Sequence, residues 1–194
     1  MMETQPAVFL DRDGVINKER GYVHLIEDFH FIDGVFEACR EMSRAGYRLI
    51  IITNQAGIAR GYYTEEVFQC LTNWMLNEFR QQDIDIDGVY YCPHHPVYGV
   101  GEYHRDCNCR KPSPGMIHLA AKEHSLDLGS SILVGDKATD IEAGRAAGLG
   151  CCVLVQTGHS LRDEDLEKAD AVFSDLLGVA RALTSDRLCT GCRR

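Results

Sequence analysis

Ala7-Val8-Phe9-Leu10-Asp11-Arg12-Asp13-Gly14-Val15 sets four apolar residues directly before two carboxylates spaced one residue apart. A short unbroken apolar run reads as a strand buried on both faces, as in a parallel sheet. Ligands of open α/β sheets bind beyond the carboxyl ends of the strands, so both acids fall where chemistry is done. Two acids this close need a cation or a shared proton, because both cannot ionise cheaply side by side. With Mg²⁺ such a pair suits phosphoryl chemistry: one carboxylate attacks, the other moves protons, and the metal neutralises charge.

Downstream of this stretch, strand and helix signals alternate. Val35, Phe36, Cys39, Met42 and Ala45 keep helical spacing as far as Gly46. Leu49 to Ile52 reads as a second buried strand, and Thr64 as the cap of a helix carrying Val67, Leu71, Trp74 and Met75 inward. Val89 to Cys92 is a third strand, and Ser113-Pro114 opens a helix with Pro at its first position. Further strands are expected at Ile132–Val134, Cys151–Val155 and Ala171–Phe173, with helices near 138–147 and 174–183. This alternation predicts an α/β fold: a mostly parallel sheet with helices on both faces. Stretch 93–112, rich in His, Cys, Gly and Pro, breaks the rhythm.

The 194 residues suit a single domain, with a loose tail from about residue 184. A net charge of −9 argues against a general nucleic-acid or membrane-surface binder. No segment approaches the ~20 apolar residues of a membrane span, and Asp11 precedes any signal-type apolar core, so a cytoplasmic, monomeric protein is expected.

Residues that follow the strands become neighbours at one sheet edge. They are Asp11 and Asp13, then Thr53 and Asn54, whose hydroxyl and amide can donate to phosphate oxygens. Arg110 and Lys111 follow with cationic side chains, and then Asp136, with Asp140 four residues on. Asp136 and Asp140 could instead merely cap the helix near 138–147. Arg12 and Lys18 read as solvated or loop-pairing residues.

Nine cysteines are many for a chain without a secretory signal, and clustered ones then read as metal ligands before disulfides. Cys92 and His94, and, after twelve intervening residues, Cys107 and Cys109, supply the inventory of a tetrahedral Cys₃His zinc site. Four protein ligands leave no open position, so the Zn²⁺ is expected to be structural, fixing the loop of about 92–109 that runs into Arg110 and Lys111. His95 is an alternative to His94, and His104 reads as solvated. Cys39, Cys70, Cys151 and Cys152 read as core filler, and Cys189 with Cys192 as a bland pair in a polar tail.

In combination, Asp11-x-Asp13-Gly14-Val15, Thr53, Lys111 and Gly135-Asp136-x-x-x-Asp140 closely resemble the four signature motifs of the haloacid dehalogenase (HAD) superfamily of phosphatases. The resemblance implies a three-layer Rossmann-type fold, Asp11 as nucleophile and Asp13 as general acid/base. It also implies Mg²⁺ on Asp11, Asp136 and the Asp13 carbonyl, with Thr53 and Lys111 on the transferring phosphoryl group. The cysteine loop is similar to that of the branch holding histidinol-phosphate and heptose-bisphosphate phosphatases, which lacks a large cap domain. Within it, the long spacer between the ligand pairs and Asn54-Gln55-Ala56-Gly57-Ile58 agree with heptose-bisphosphate enzymes.

That resemblance implies removal of the C7 phosphate from a heptose 1,7-bisphosphate during ADP-heptose supply for lipopolysaccharide. A bisphosphate carries a second anion, for which Arg110 offers a planar fork while Lys111 serves the first as a point charge. Asn17 and the 14–30 loop could cover the sugar. The alternatives are the α-anomer enzyme of GDP-heptose synthesis, a histidinol-phosphate phosphatase, and, from another class, a receiver domain that merely accepts phosphate on an aspartate.

Overall fold

The computed structural model describes residues 4–185; Cys189 and Cys192 of the tail lie outside them. All six strands among these residues join one parallel sheet: β1 (Ala7–Leu10), β2 (Arg48–Asn54), β3 (Gly88–Cys92), β4 (Ile132–Gly135), β5 (Cys151–Val155) and β6 (Ala171–Phe173). Their spatial order is β3-β2-β1-β4-β5-β6. Each of the five pairings is parallel, for example Phe9 beside Ile50 and Leu133. This is a HAD-like Rossmann-type α/β fold, with its order reversing between β1 and β4, where such sheets open a crevice.

Side chains alternate across the sheet, so each strand feeds two cores. Val8, Leu10, Leu49, Ile51, Val134 and Val153 face one core, closed by α1 (Val35–Arg44), α3 (Glu65–Gln81) and α7 (Leu176–Thr184). Phe9, Ile50, Ile52, Leu133 and Leu154 face the other, closed by α4 (Gly115–His124) and α5 (Ala138–Ala147). Short helices α2 (Ala56–Ala59) and α6 (Asp163–Leu166) complete the chain.

Local chemistry sets the boundaries. Thr64 caps α3 by accepting the Val67 N–H at 3.4 Å. α1 ends before Gly46, whose φ of +90° is a conformation that glycine adopts without strain. Pro114 stands just before α4 rather than at its first position, because the helix begins at Gly115.

Two expectations are corrected. Cys70 is not core filler but lies exposed on α3. Of the two readings of Arg12, solvation fails and loop-pairing holds: it is only 1% exposed, it donates to the Val23 carbonyl at 2.8 Å, and its guanidinium lies 5.9 Å from the Phe29 ring centroid and 5.7 Å from that of Phe68. Lys18 is exposed, as read.

Phe9 is wholly buried in the central strand. Phe9→Ala is expected to cost about 3–5 kcal/mol by opening a cavity there, measured as a lowered urea midpoint with unchanged m.

Candidate active site

Four strand ends and their following loops meet around a cavity of about 460 Å³. Its lining includes Asp11, Asp13, Thr53, Arg110, Lys111 and Asp140. β1 delivers Asp11, whose N–H donates to the Val134 carbonyl at 3.0 Å and so keeps it against β4.

Lys111 is the fixed point of the site. Its Nζ lies 2.9 Å from Asp11 Oδ1 and 2.6 Å from Asp140 Oδ1, and donates to the Ile52 carbonyl at 3.1 Å. Burial alone would lower its pKa, but Asp11 and Asp140 hold it above the usual lysine range. Asp11 is pushed up to about 6, because burial outweighs the neighbouring Lys111 charge. Asp140 caps α5 as the sequence allowed, one oxygen accepting the Asp136 and Lys137 N–H groups at 3.2 and 3.1 Å, and its other oxygen pairs with Lys111, which the sequence did not suggest.

Asp13 sits in a different field. Burial would raise its pKa, yet Arg12, Asn17 and Gln55 together hold it below the usual carboxylate range. Arg12 donates from Nε to Oδ2 at 3.1 Å and from Nη2 to Oδ1 at 2.9 Å, a two-point grip of the kind that fixes orientation. Asn17 donates to Oδ1 at 3.0 Å and Gln55 to Oδ2 at 3.2 Å.

These contacts change two expected roles. Asn17 is wholly buried, its amide nitrogen donates to Asp13 and to the Lys18 carbonyl, and it holds Asp13 from outside the cavity lining. Asn54 clamps the Lys111 backbone, accepting its N–H and donating to its carbonyl, both at 3.0 Å. It therefore positions the lysine as well as lining the cavity. Thr53 is buried, and its hydroxyl oxygen accepts from Gln55 at 2.8 Å, which leaves the hydroxyl proton for an incoming oxygen.

Gln55 and His159 were given no role by the sequence. Gln55 bridges Asp13 and Thr53 while its own oxygen accepts from the Tyr63 hydroxyl at 2.7 Å. His159 lies about twenty residues beyond the last signature acid, and its ring nitrogen Nδ1 is 2.7 Å from Asp136 Oδ2. Only the Asn54-Gln55 pairing in the resembling motif hinted at the first; no signal pointed to the second.

Asp11, Asp136 and Asp140 each bring a carboxylate oxygen within 4.8 Å of the others, a grouping able to hold a cation. Asp136 is wholly buried, its Oδ1 has no hydrogen-bond partner, and burial followed by the nearby Asp11 raises its pKa. An unpartnered carboxylate oxygen beside another acid fits a hard divalent cation such as Mg²⁺. Asp140, with both oxygens engaged, fits that task less well.

The second grouping joins β3 to the loop that follows. Cys92, Cys107 and Cys109 hold their sulfurs 3.1–3.4 Å apart, and His94 Nδ1 lies 3.5 Å from Cys109 Sγ and 3.8 Å from Cys92 Sγ. The cysteines are unbridged. Sulfurs around a tetrahedral Zn²⁺ with ~2.3 Å bonds stand about 3.8 Å apart, so the donors are a few tenths of an ångström from that arrangement. Burial, then Arg105, lowers the His94 pKa and favours the neutral imidazole that metals bind. His95 is turned to its own loop, where Nδ1 accepts the Val97 and Tyr98 N–H groups at 3.1 Å, and His104 is exposed. Arg110 Nη1 donates to the His94 carbonyl at 3.2 Å, tying the arginine directly to the cluster.

Comparison with known proteins agrees with this geometry. Residues 108–179 match the HAD-hydrolase-like family model. A D-glycero-beta-D-manno-heptose-1,7-bisphosphate 7-phosphatase from Yersinia pestis is 47% identical over 183 residues, covering 94% of this chain and 97% of that one. Its counterpart from Vibrio cholerae is 48% identical over 179 residues, covering 92% and 96%. A crystal structure of D,D-heptose 1,7-bisphosphate phosphatase from B. bronchiseptica, complexed with magnesium and phosphate, has a TM-score of 0.80 and 29% identity. That match covers 93% of this chain and 99% of that one. Shared over nearly the whole of both chains, the likeness shows that this protein belongs to the D-glycero-beta-D-manno-heptose-1,7-bisphosphate 7-phosphatase family of the HAD superfamily.

Proposed function

We propose that this phosphoric monoester hydrolase removes the C7 phosphate of D-glycero-β-D-manno-heptose 1,7-bisphosphate, leaving the 1-phosphate, on the route to ADP-heptose and lipopolysaccharide. The observation that carries the reading is the Lys111–Asp11 contact of 2.9 Å beside the cavity, with Arg110 next in sequence and anchored to the cysteine cluster. The β-anomer follows from the names of the relatives, and the receiver alternative gives way to the hydrolase family.

Asp11 attacks phosphorus, and the bond from phosphorus to the C7 oxygen breaks as Asp13 gives that oxygen a proton. Water then attacks the aspartyl-phosphate, Asp13 takes its proton, and Asp11 is restored as phosphate leaves. Three donors on Asp13 favour the ionised form that accepts a proton in the second half, so the proton it gives in the first half is taken up from solvent as the anionic phosphate enters beside it. Lys111 and Thr53 hold phosphoryl oxygens in both halves. Asp11, Asp136 and the Asp13 carbonyl would hold Mg²⁺, which supplies positive charge to the phosphoryl group when bound.

Arg110 takes the C1 phosphate at the cavity wall. Cys92, His94, Cys107 and Cys109 would hold a structural Zn²⁺ that fixes the loop bearing Arg110 and Lys111. The long connections after β1 and β3 cover the sugar in place of a large cap. Residues 1–194 act as one domain and as a monomer in the cytoplasm; among the described residues no helix is long and apolar enough to cross a membrane.

Phosphate release is expected to favour the β-heptose bisphosphate over its α-anomer and over histidinol phosphate. Asp11→Asn should abolish release and Asp13→Asn slow it about 10²–10⁴-fold. A preference for histidinol phosphate would overturn the substrate. Arg110→Ala should raise KM for the bisphosphate by roughly ten-fold or more while leaving a heptose 7-monophosphate little affected, since one charge-assisted contact contributes about 1.5–3 kcal/mol. Elemental analysis should find one zinc per chain, and Cys107→Ala should lose it together with thermal stability and phosphate affinity.

A further inference from the structure

Asp136 differs from the other acids of the cleft in its ion pairs. No lysine or arginine pairs with it among the described residues, whereas Asp11 and Asp140 share Lys111 and Asp13 has Arg12. Among the described residues, the side chain that hydrogen-bonds to it is His159. The turn after β5 brings the His159 main-chain N–H to 3.0 Å from Asp136 Oδ2 and its ring Nδ1 to 2.7 Å from the same oxygen. The other oxygen, Oδ1, is buried and unpartnered. The two carboxylate oxygens are thus divided, one fully engaged and one free.

Glycines on both sides make this approach feasible. A Cβ at Gly158 would stand 2.1 Å from Asp136 Oδ2, and one at Gly14 would stand 2.4 Å from it. Only a residue without a side chain at 158 lets the turn close on the acid. Thr157 fastens the same turn to the other loop, its hydroxyl donating to the Gly14 carbonyl at 2.6 Å. The turn is therefore braced against the segment that carries Asp13.

We propose that His159 is a positioning residue for the divalent cation: by donating from Nδ1 to Asp136 Oδ2 it fixes the carboxylate so that Oδ1 faces the metal. The role rests on Asp136 being a metal ligand. A carboxylate acceptor requires the proton on Nδ1, which places the ring in one tautomer and leaves Nε2 for the cavity side or solvent. Hydrogen-bond partners of ligating carboxylates typically change metal affinity by 10–100-fold when removed. The side chain is 44% exposed, so its removal disturbs little packing.

Titration of Mg²⁺ into the full-length protein by calorimetry, without substrate, tests the assignment. His159→Ala is expected to weaken Mg²⁺ binding about ten-fold with an unchanged melting temperature, and His159→Asn, which keeps a donor near Nδ1, to recover most of it. In activity assays the same loss should appear as a raised Mg²⁺ requirement, with kcat at saturating Mg²⁺ little altered. Parent-like Mg²⁺ affinity in His159→Ala, with binding abolished in Asp136→Asn, would overturn the role of His159 alone. Parent-like affinity in Asp136→Asn would instead overturn Asp136 as a ligand, and this inference with it.

Discussion

One buried ammonium group organises this molecule. Lys111 Nζ touches Asp11 after β1, the Ile52 carbonyl of β2 and Asp140 in the helix after β4, while its own backbone arrives from the loop after β3. Removing such a charge from water costs several kcal/mol unless well-placed partners compensate it. Those partners exist only when four neighbouring strand ends are in register. The parallel ladder sets that register, with Thr53 beside Tyr91 and Leu10 beside both Ile51 and Val134. Fold and site therefore depend on each other at a single atom.

Charge counting around that atom explains why a cation belongs there. Asp11, Asp13, Asp136 and Asp140 are four acids at the cleft, and Arg12 and Lys111 are the two buried cations paired with them. Among these groups four negative charges face two positive, an excess that Lys137 and Arg110 at the cavity lining offset only in part. A divalent ion balances that excess, and its own charge then draws an anionic phosphate into a cleft that would otherwise repel it. Burial first, and neighbouring acids after it, raise the pKa values of Asp11 and Asp136, whereas Asp13, gripped by Arg12, is lowered.

Sequence showed where the carboxylates, Thr53 and Lys111 would gather, because strand ends in a parallel sheet converge whatever the side-chain details. It showed the cysteine cluster for a similar reason: ligand spacing is local. What it concealed were contacts set by three-dimensional packing. Arg12 looked solvated because charged residues usually are, yet Phe29, Phe68 and Asp13 enclose it. Asn17 and Asn54 were legible as polar groups near phosphate, but hydrogen-bond partners are not written in spacing. His159 belongs to a turn after a strand that carries no signature acid, so nothing local distinguished it.

The loop after β3 brings Arg110 and Lys111 to the cavity with little apolar side-chain burial of its own. Its position is fixed by polar contacts from three sides instead. The Cys/His cluster holds its two ends together, and Asn54 clamps the Lys111 backbone. Glu65 at the start of α3 accepts the hydroxyls of Tyr91 and Tyr103, the latter at 2.8 Å. Directional contacts of this kind fix orientation more sharply than hydrophobic burial, which is non-directional. In the proposed function, discrimination between one phosphate and two turns on where the Arg110 guanidinium stands. A loop fastened at its Cys/His cluster and by hydrogen bonds can keep that placement while Lys111, one residue on, stays locked to the sheet.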